Sequence, residues 1–337
     1  MSAETASTQS TPPKAVKRPG DVIFSSISTF SGSLILAILA AVFFFLIWQG
    51  LDAFNPNASN VDAPSTEHSE FLIKAQNLAN PDEPGNFFWY VLPLAFGSVW
   101  ASLLALIMAV PVAIGVALFI THYAPRKLAS ALGYVIDLLA AIPSVVYGLW
   151  GMIVLAGFVQ PFYVWLGQNL NWLPFFQGDQ VSGTGRTIFT AAIVLAIMVL
   201  PIITALTREV FLQTPRLHEE ASLALGATRW EMIKMAVLPF ARSGMVSSIM
   251  LGLGRALGET MAVAMVLSAS GIITVNLIGS QNPSTIAANI ALRNGEASQM
   301  DMHVLIATGL VLFAITLLVN GVARWIVGRR KQFSGAN

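Results

Sequence analysis

Arg255 and Glu259 stand four residues apart in the string GLGRALGETMAV, at 252–263, inside a long apolar run. A spacing of four places both on one face of a helix. A charge at mid-membrane costs about 2.5–3.5 kcal/mol on insertion scales, so such residues pair or line a polar path. Arginine suits a polar path, because its planar fork of donors matches the oxygens of an oxyanion two at a time and stays charged in a dehydrated site. The expected chemistry is anion contact by Arg255, with Glu259 holding the guanidinium when the site is empty. The alternative is an ion pair that only fixes helix packing. Gly254 and Gly258 form a small-xxx-small step beside the pair and allow close helix approach under either reading.

Other chemistry is largely excluded. The chain has no cysteine, so disulfides, thiolate metal sites and a cysteine nucleophile are absent. His68, His122, His218 and His303 lie at loops or helix ends without metal-ligand spacing, which predicts structural or solvated roles. No Gly-Lys pair occurs, so there is no Walker A loop, and neither an HExxH motif nor a nucleophile elbow appears. The chain is not expected to be an enzyme or to carry a cofactor. Asp137 is expected to reach the interface or pair with a neighbouring helix. Ser144 and Tyr147, which follow Pro143, are expected to satisfy backbone groups freed by that proline rather than to line a pore.

The elements that position these residues follow from composition. Of 337 residues, 55% are hydrophobic and only 10% charged, with a mean hydropathy of +0.70, so the lipid bilayer is the main solvent. Apolar runs near 31–48, 95–120, 132–157, 187–206, 245–269 and 304–327 predict six transmembrane helices in an all-α integral membrane protein. The positive-inside bias puts both termini in the cytoplasm. Lys14, Lys17, Arg18, Arg126, Lys127, Arg208, Arg216, Arg229, Lys234, Arg242, Arg324, Arg329, Arg330 and Lys331 then fall inside. Lys74, Arg186 and Arg293 fall outside, where the loop after the first span is acidic, with Asp52, Asp62, Glu67, Glu70, Asp82 and Glu83. A net charge of +1 gives no sign of nucleic-acid binding. Residues 1–20, rich in Ser, Thr and Pro, are expected to be disordered, and the first span to be retained rather than cleaved.

Two apolar stretches resist a simple reading. The segment 87–121 contains Pro93 and Pro111, which predicts an interfacial lead-in and a bend. The stretch QPFYVWLGQNLNWLPFF at 160–176 is expected at the outer interface rather than as a seventh span.

The polar island EEASLALGATRWEMIKMAVLP, at 219–239, separates two apolar runs. Thr214 with Pro215 predicts a helix start, Gly226 a C-terminal cap, and Thr228 with Glu231 a capping box opening a second helix that stops near Pro239. The result is helix, glycine turn, helix, either a docking surface or a hairpin resting on the membrane.

The spacing of Glu220, Ala221, Ser222, Gly226, Leu238 and Pro239 resembles the EAA loop of ABC importer permeases. It departs at Ser222, where Ala is usual, and at Ala236, where Ile is common. DLLAAIPSVVYGLWG at 137–151 and the string around Arg255 are similar to the phosphate branch of that family, the PstC type. The resemblance covers roughly 94–327 plus the first span. It implies a type I ABC importer permease (MetI-like) fold with a cytoplasmic tail at 1–28, a first helix and outer loop at 29–93, a permease domain at 94–328 containing a coupling loop at 214–240, and a tail at 329–337. It further implies that Glu220, Ala221, Gly226, Leu238 and Pro239 serve ATPase coupling, and that Arg255 and Glu259 lie on the substrate path. The implied partners are a PstA-type permease, a PstB-type ATPase dimer, an extracytoplasmic PstS-type binding protein and phosphate, at a bacterial plasma membrane. A PstA-type role, another oxyanion such as molybdate, and an ion-coupled transporter or channel are the alternatives.

Overall fold

The computed structural model describes residues 19–60, 64, 67–75, 77 and 83–330. Most of the expected N-terminal tail, the basic residues Lys14, Lys17, Arg18 and Lys331, the acidic Asp62 and Asp82, and the C-terminal residues 331–337 lie outside them. The described residues are almost wholly helical: α1 Pro19–Gly50, α2 Glu70–Ile73, α3 Phe87–Leu118, α4 Arg126–Ala140, α5 Ser144–Trp150, α6 Ala156–Asn169, α7 Ile188–Leu212, α8 Arg216–Ala224, α9 Arg229–Met232, α10 Leu238–Leu257, α11 Met261–Val266, α12 Ile286–Arg293 and α13 Gln299–Arg330. Among the described residues six runs are long and apolar enough to cross a membrane: Pro19–Phe54, Phe87–Tyr123, Ser144–Asn169, Ile188–Leu212, Arg229–Leu257 and Gln299–Trp325. The first helix, as far as Trp48, is a unit of its own, and the rest of the chain forms a second.

The second unit is organised around α3 and α7. Ala101, Ala105, Ala109 and Ala113 recur every four residues along α3 and are buried among Ala191, Val194, Leu195, Met198 and Val199 of α7. Small side chains on one helical stripe let two backbones approach closely, which is how helices gain packing energy in lipid. Helix α3 is continuous from Phe87 and contains both Pro93 and Pro111, so no separate interfacial lead-in precedes it. Asn86 caps it by accepting a hydrogen bond from Trp89 N–H.

The third and fifth spans differ from their expected positions. Hydropathy placed the third at 132–157, but an amphipathic α4 stops at Ala140, and a new helix starts at Ser144 and continues through a π turn, Gly151–Leu155, to Asn169. Pro143 causes the break, because it lacks a donor and disfavours helix at the residue before it. Tyr147 bridges the break by donating its hydroxyl hydrogen to Leu139 O, as expected of a residue beside a proline interruption. The first part of the aromatic stretch, 160–169, therefore completes a span instead of lying apart from it. Asp137 sits on α4, 3.5 Å from Arg208 of α7.

The fifth span begins earlier, at Arg229. A π turn, Ile233–Val237, joins α9 to α10, so Pro239 does not end the second helix of the polar island. In the π turn Leu238 N–H bonds to Ile233 O, five residues back. The missing donor of Pro239 thus falls where the regular ladder is already interrupted. Helix α10 then ends at Leu257, well before the expected 269.

Residues 267–285 form an irregular segment that is buried at Leu267, 276–279 and 282–285 and mostly exposed over 268–275. Such backbone survives at membrane depth only when protein satisfies it. Here Leu277 N–H bonds to Phe175 O and Ser280 N–H to Gln180 O. The pin is Asn282, whose Oδ1 accepts from Ile188 N–H while Nδ2 donates to Ser268 O and Gly279 O. Replacing Asn282 by Ala leaves these groups unpaired at about 1–3 kcal/mol each. The variant should unfold at a clearly lower temperature than wild type in detergent; an unchanged melting temperature would show that the pin is dispensable.

The loop after α1 belongs to the second unit. Ala53, Ala58 and Leu72 join Phe87, Val91, Met300, Val304 and Ala307 in one apolar cluster. Asp301 holds this arrangement through hydrogen bonds from Ser69 Oγ, Phe71 N–H, Ser298 N–H and Ser298 Oγ.

Candidate functional site

Arg255 lies in the last turn of α10 and lines a cavity of about 1050 Å³. Ile202 of α7, Ser243 and Ser247 of α10, and Asn320 and Arg324 of α13 share that lining. Among the described residues Arg255 makes no ion pair, and its side chain is exposed to the cavity. Gly254 beside it faces open space, with no atom within 4 Å of where a Cβ would stand. No described helix of this chain uses that glycine for close approach; it widens the cavity instead.

Glu259 is not on the same helical face as Arg255. The helix stops between them, with Gly258 at φ −88° and ψ 0° as the C-cap. Glycine at 254 and 258 weakens the last turn, and the Glu259 carboxylate accepts a hydrogen bond from Ala262 N–H at 3.1 Å, capping α11. Glu259 is buried at 8% relative exposure. The expected Arg255–Glu259 ion pair is therefore absent. A four-residue spacing implies one face only while the helix continues, and here a cap competes with it. The guanidinium is left available to a ligand.

The polar island is a helix, a left-handed glycine and a second helix. Pro215 rather than Thr214 occupies the N-cap of α8. Gly226 turns the chain at φ +88°. Thr228 and Glu231 form both hydrogen bonds of the capping box. No residue of α8 is buried, and Glu220 and Ala221 are exposed. Leu225 is 90% exposed and Leu217 74%. His218, Ala221, Ser222, Leu225, Met235 and Phe240 border a shallow groove of about 360 Å³. Ser222 donates to His218 O within its own helix, so the hydroxyl leaves the helix intact. Leu238 and Pro239 lie in the first turn of α10, directly after the π turn.

The island is tied to the membrane helices from beneath. Met232, Ile233 and Val237 pack with Ala117 and Phe211. Glu219 Oε1 lies 3.7 Å from His122 Nε2 at the end of the second span, and the imidazole is edge-on to Phe211. Sequence reasoning assigned His122 a bland role and missed this contact. Nothing local signals it, since its partner lies on a helix reached only after two further spans.

Residues 109–332, more than half of the chain, match the family described as binding-protein-dependent transport system inner membrane component. The phosphate transport system permease protein PstC 2 of Mycobacterium tuberculosis (strain ATCC 25618 / H37Rv) is 43% identical over 314 residues, covering 92% of this chain and 93% of that protein. The PstC of Mycobacterium leprae (strain TN) is 46% identical over 265 residues, covering 78% and 82%, and that of Pasteurella multocida (strain Pm70) 36% identical over 321 residues, covering 94% of each. Among solved structures, a bacterial ABC transporter involved in the import of the acidic polysaccharide alginate matches with a TM-score of 0.52 at 17% identity, over 92% of this chain and 99% of that one. That likeness concerns the fold. Together with six spans, the family match and the sequence relatives establish a multi-pass bacterial membrane protein with an ABC importer permease fold. The chain belongs to the family of inner membrane components of binding-protein-dependent transport systems and groups there with the PstC-type permeases.

Proposed function

We propose that this chain is the permease subunit of an ATP-driven importer of inorganic phosphate, with Arg255 on the substrate path and the loop 214–240 seated on a cytoplasmic ATPase. The observation that carries the reading is a guanidinium that makes no ion pair among the described residues and lines a cavity to which none of them contributes a carboxylate. A dehydrated oxyanion needs charged, forked donors, and Arg255 supplies them. The named relatives support phosphate as the cargo.

Glu259 contributes by fixing the α10–α11 break that presents Arg255. Glu220, Ala221 and Gly226, with Leu238 and Pro239 behind them, form the ATPase contact. The partners are a PstA-type permease, two PstB-type ATPase subunits and a PstS-type binding protein, with both termini and the basic loops cytoplasmic. ATP hydrolysis belongs to the separate ATPase subunits, whose closure moves the exposed α8 and, through the Glu219–His122 contact, the second span.

The test is reconstitution of the complete complex in lipid. ATPase activity should rise with phosphate-loaded binding protein and stay low with the empty one, and excess molybdate should not compete with phosphate for uptake. Competition by molybdate would reassign the cargo. Uptake driven by an ion gradient without the ATPase would overturn the reading.

A further inference from the structure

Polar residues recur at one-turn intervals on two helices that border the same cavity. On α10 these are Ser243, Ser247 and, two turns further, Arg255; on α13 they are Asn320 and Arg324. At 1.5 Å per residue, Arg255 lies about 18 Å along α10 from Ser243, a distance that accommodates more than one small ion. The lining holds two guanidinium groups and no carboxylate.

Arg324, like Arg255, makes no ion pair among the described residues, whereas Arg208 lies 3.5 Å from Asp137. The Ser247 hydroxyl donates to Ser243 O. Positive charge without a counter-charge constitutes the chemistry of an oxyanion site, with the donors supplied by Arg324 and the Asn320 amide, since the Ser247 hydroxyl is already bonded within its own helix. A plain anchoring role at the helix end does not account for Arg324, because Arg329, Arg330 and Lys331 already make that end basic.

We infer that Arg324, with Asn320 beside it and Ser243 and Ser247 across the cavity, forms a second oxyanion station at the coupling-loop end of the path that includes Arg255. The inference rests on the reading of this cavity as the phosphate path. The ligand is a phosphoryl oxyanion, either the transported phosphate or the headgroup of an anionic lipid.

The absence of cysteine from this chain supplies the test. Ser247→Cys places its only thiol inside the station, and alkylation of this subunit is followed by mass in the assembled complex. Nanodiscs of phosphatidylcholine alone are compared with nanodiscs containing phosphatidylglycerol, with and without inorganic phosphate. Protection by phosphate in phosphatidylcholine identifies the transported ion, and protection that requires phosphatidylglycerol identifies a headgroup. In either case Arg324→Gln should remove the protection and Arg324→Lys should restore part of it. Unprotected alkylation under all conditions, or protection that survives Arg324→Gln, would overturn the station. If Arg255→Met abolishes uptake while Ser247→Cys is never protected, only this inference fails; if Arg255→Met leaves uptake intact, the reading of the path itself fails.

Discussion

Replacing Arg255 by Met is expected to abolish phosphate uptake while the complex still assembles. Each hydrogen bond to a charged group contributes about 1.5–3 kcal/mol, so losing a two-pronged contact costs about 3–6 kcal/mol. At 1.4 kcal/mol per decade, that is a loss of roughly a hundredfold or more. Assembly should survive because Arg255 lines a cavity and supports no ion pair among the described residues. Methionine is also unbranched, and it removes a charge that is costly to insert into the bilayer. Arg255→Lys keeps the charge but not the planar fork, and should retain only part of the uptake. The measurements are radiolabelled phosphate uptake and recovery of the ATPase and partner permease with the tagged variant. Wild-type uptake by the Met variant would remove Arg255 from the path.

This expectation differs from what the sequence suggested in one respect, the role of Glu259. Arg255 was legible because a lone arginine in an apolar run is costly wherever it lies. The pairing with Glu259 was not, because it presupposed a helix continuous through Gly258. Whether a glycine-flanked turn persists depends on competing caps, and here the Glu259 carboxylate bonds to Ala262 N–H. The third span shows the same limit. Apolar residues flank Pro143 on both sides, so hydropathy did not distinguish the amphipathic α4 from the span that follows it. Local signals fared better in the polar island: the capping box of Thr228 and Glu231 and the left-handed Gly226 both stand where the residue types placed them. The Glu219–His122 contact was illegible because it is tertiary.

Gly226→Val should uncouple ATP hydrolysis from transport while leaving the membrane helices folded. Gly226 has φ +88°, and no atom lies within 4 Å of where its Cβ would stand, so the penalty is one of backbone conformation rather than collision. For an L-residue, adopting the left-handed region costs about 1–2 kcal/mol, and a β-branched side chain is the worst case. Helix α8 buries no residue of its own, so the strain is relieved most easily by re-forming the turn and swinging α8 relative to α9. The apolar clusters that hold the spans lie elsewhere and should be unaffected. A turn correctly formed in only a minority of molecules would lower uptake by roughly tenfold, and binding-protein stimulation of the ATPase should fall in parallel. Asparagine tolerates the left-handed region, so Gly226→Asn should transport nearly as well as wild type. If Gly226→Asn fails as badly as Gly226→Val, the groove on the ATPase excludes any side chain there and contact, not turn geometry, is decisive. If both variants transport normally, the glycine turn has no part in coupling.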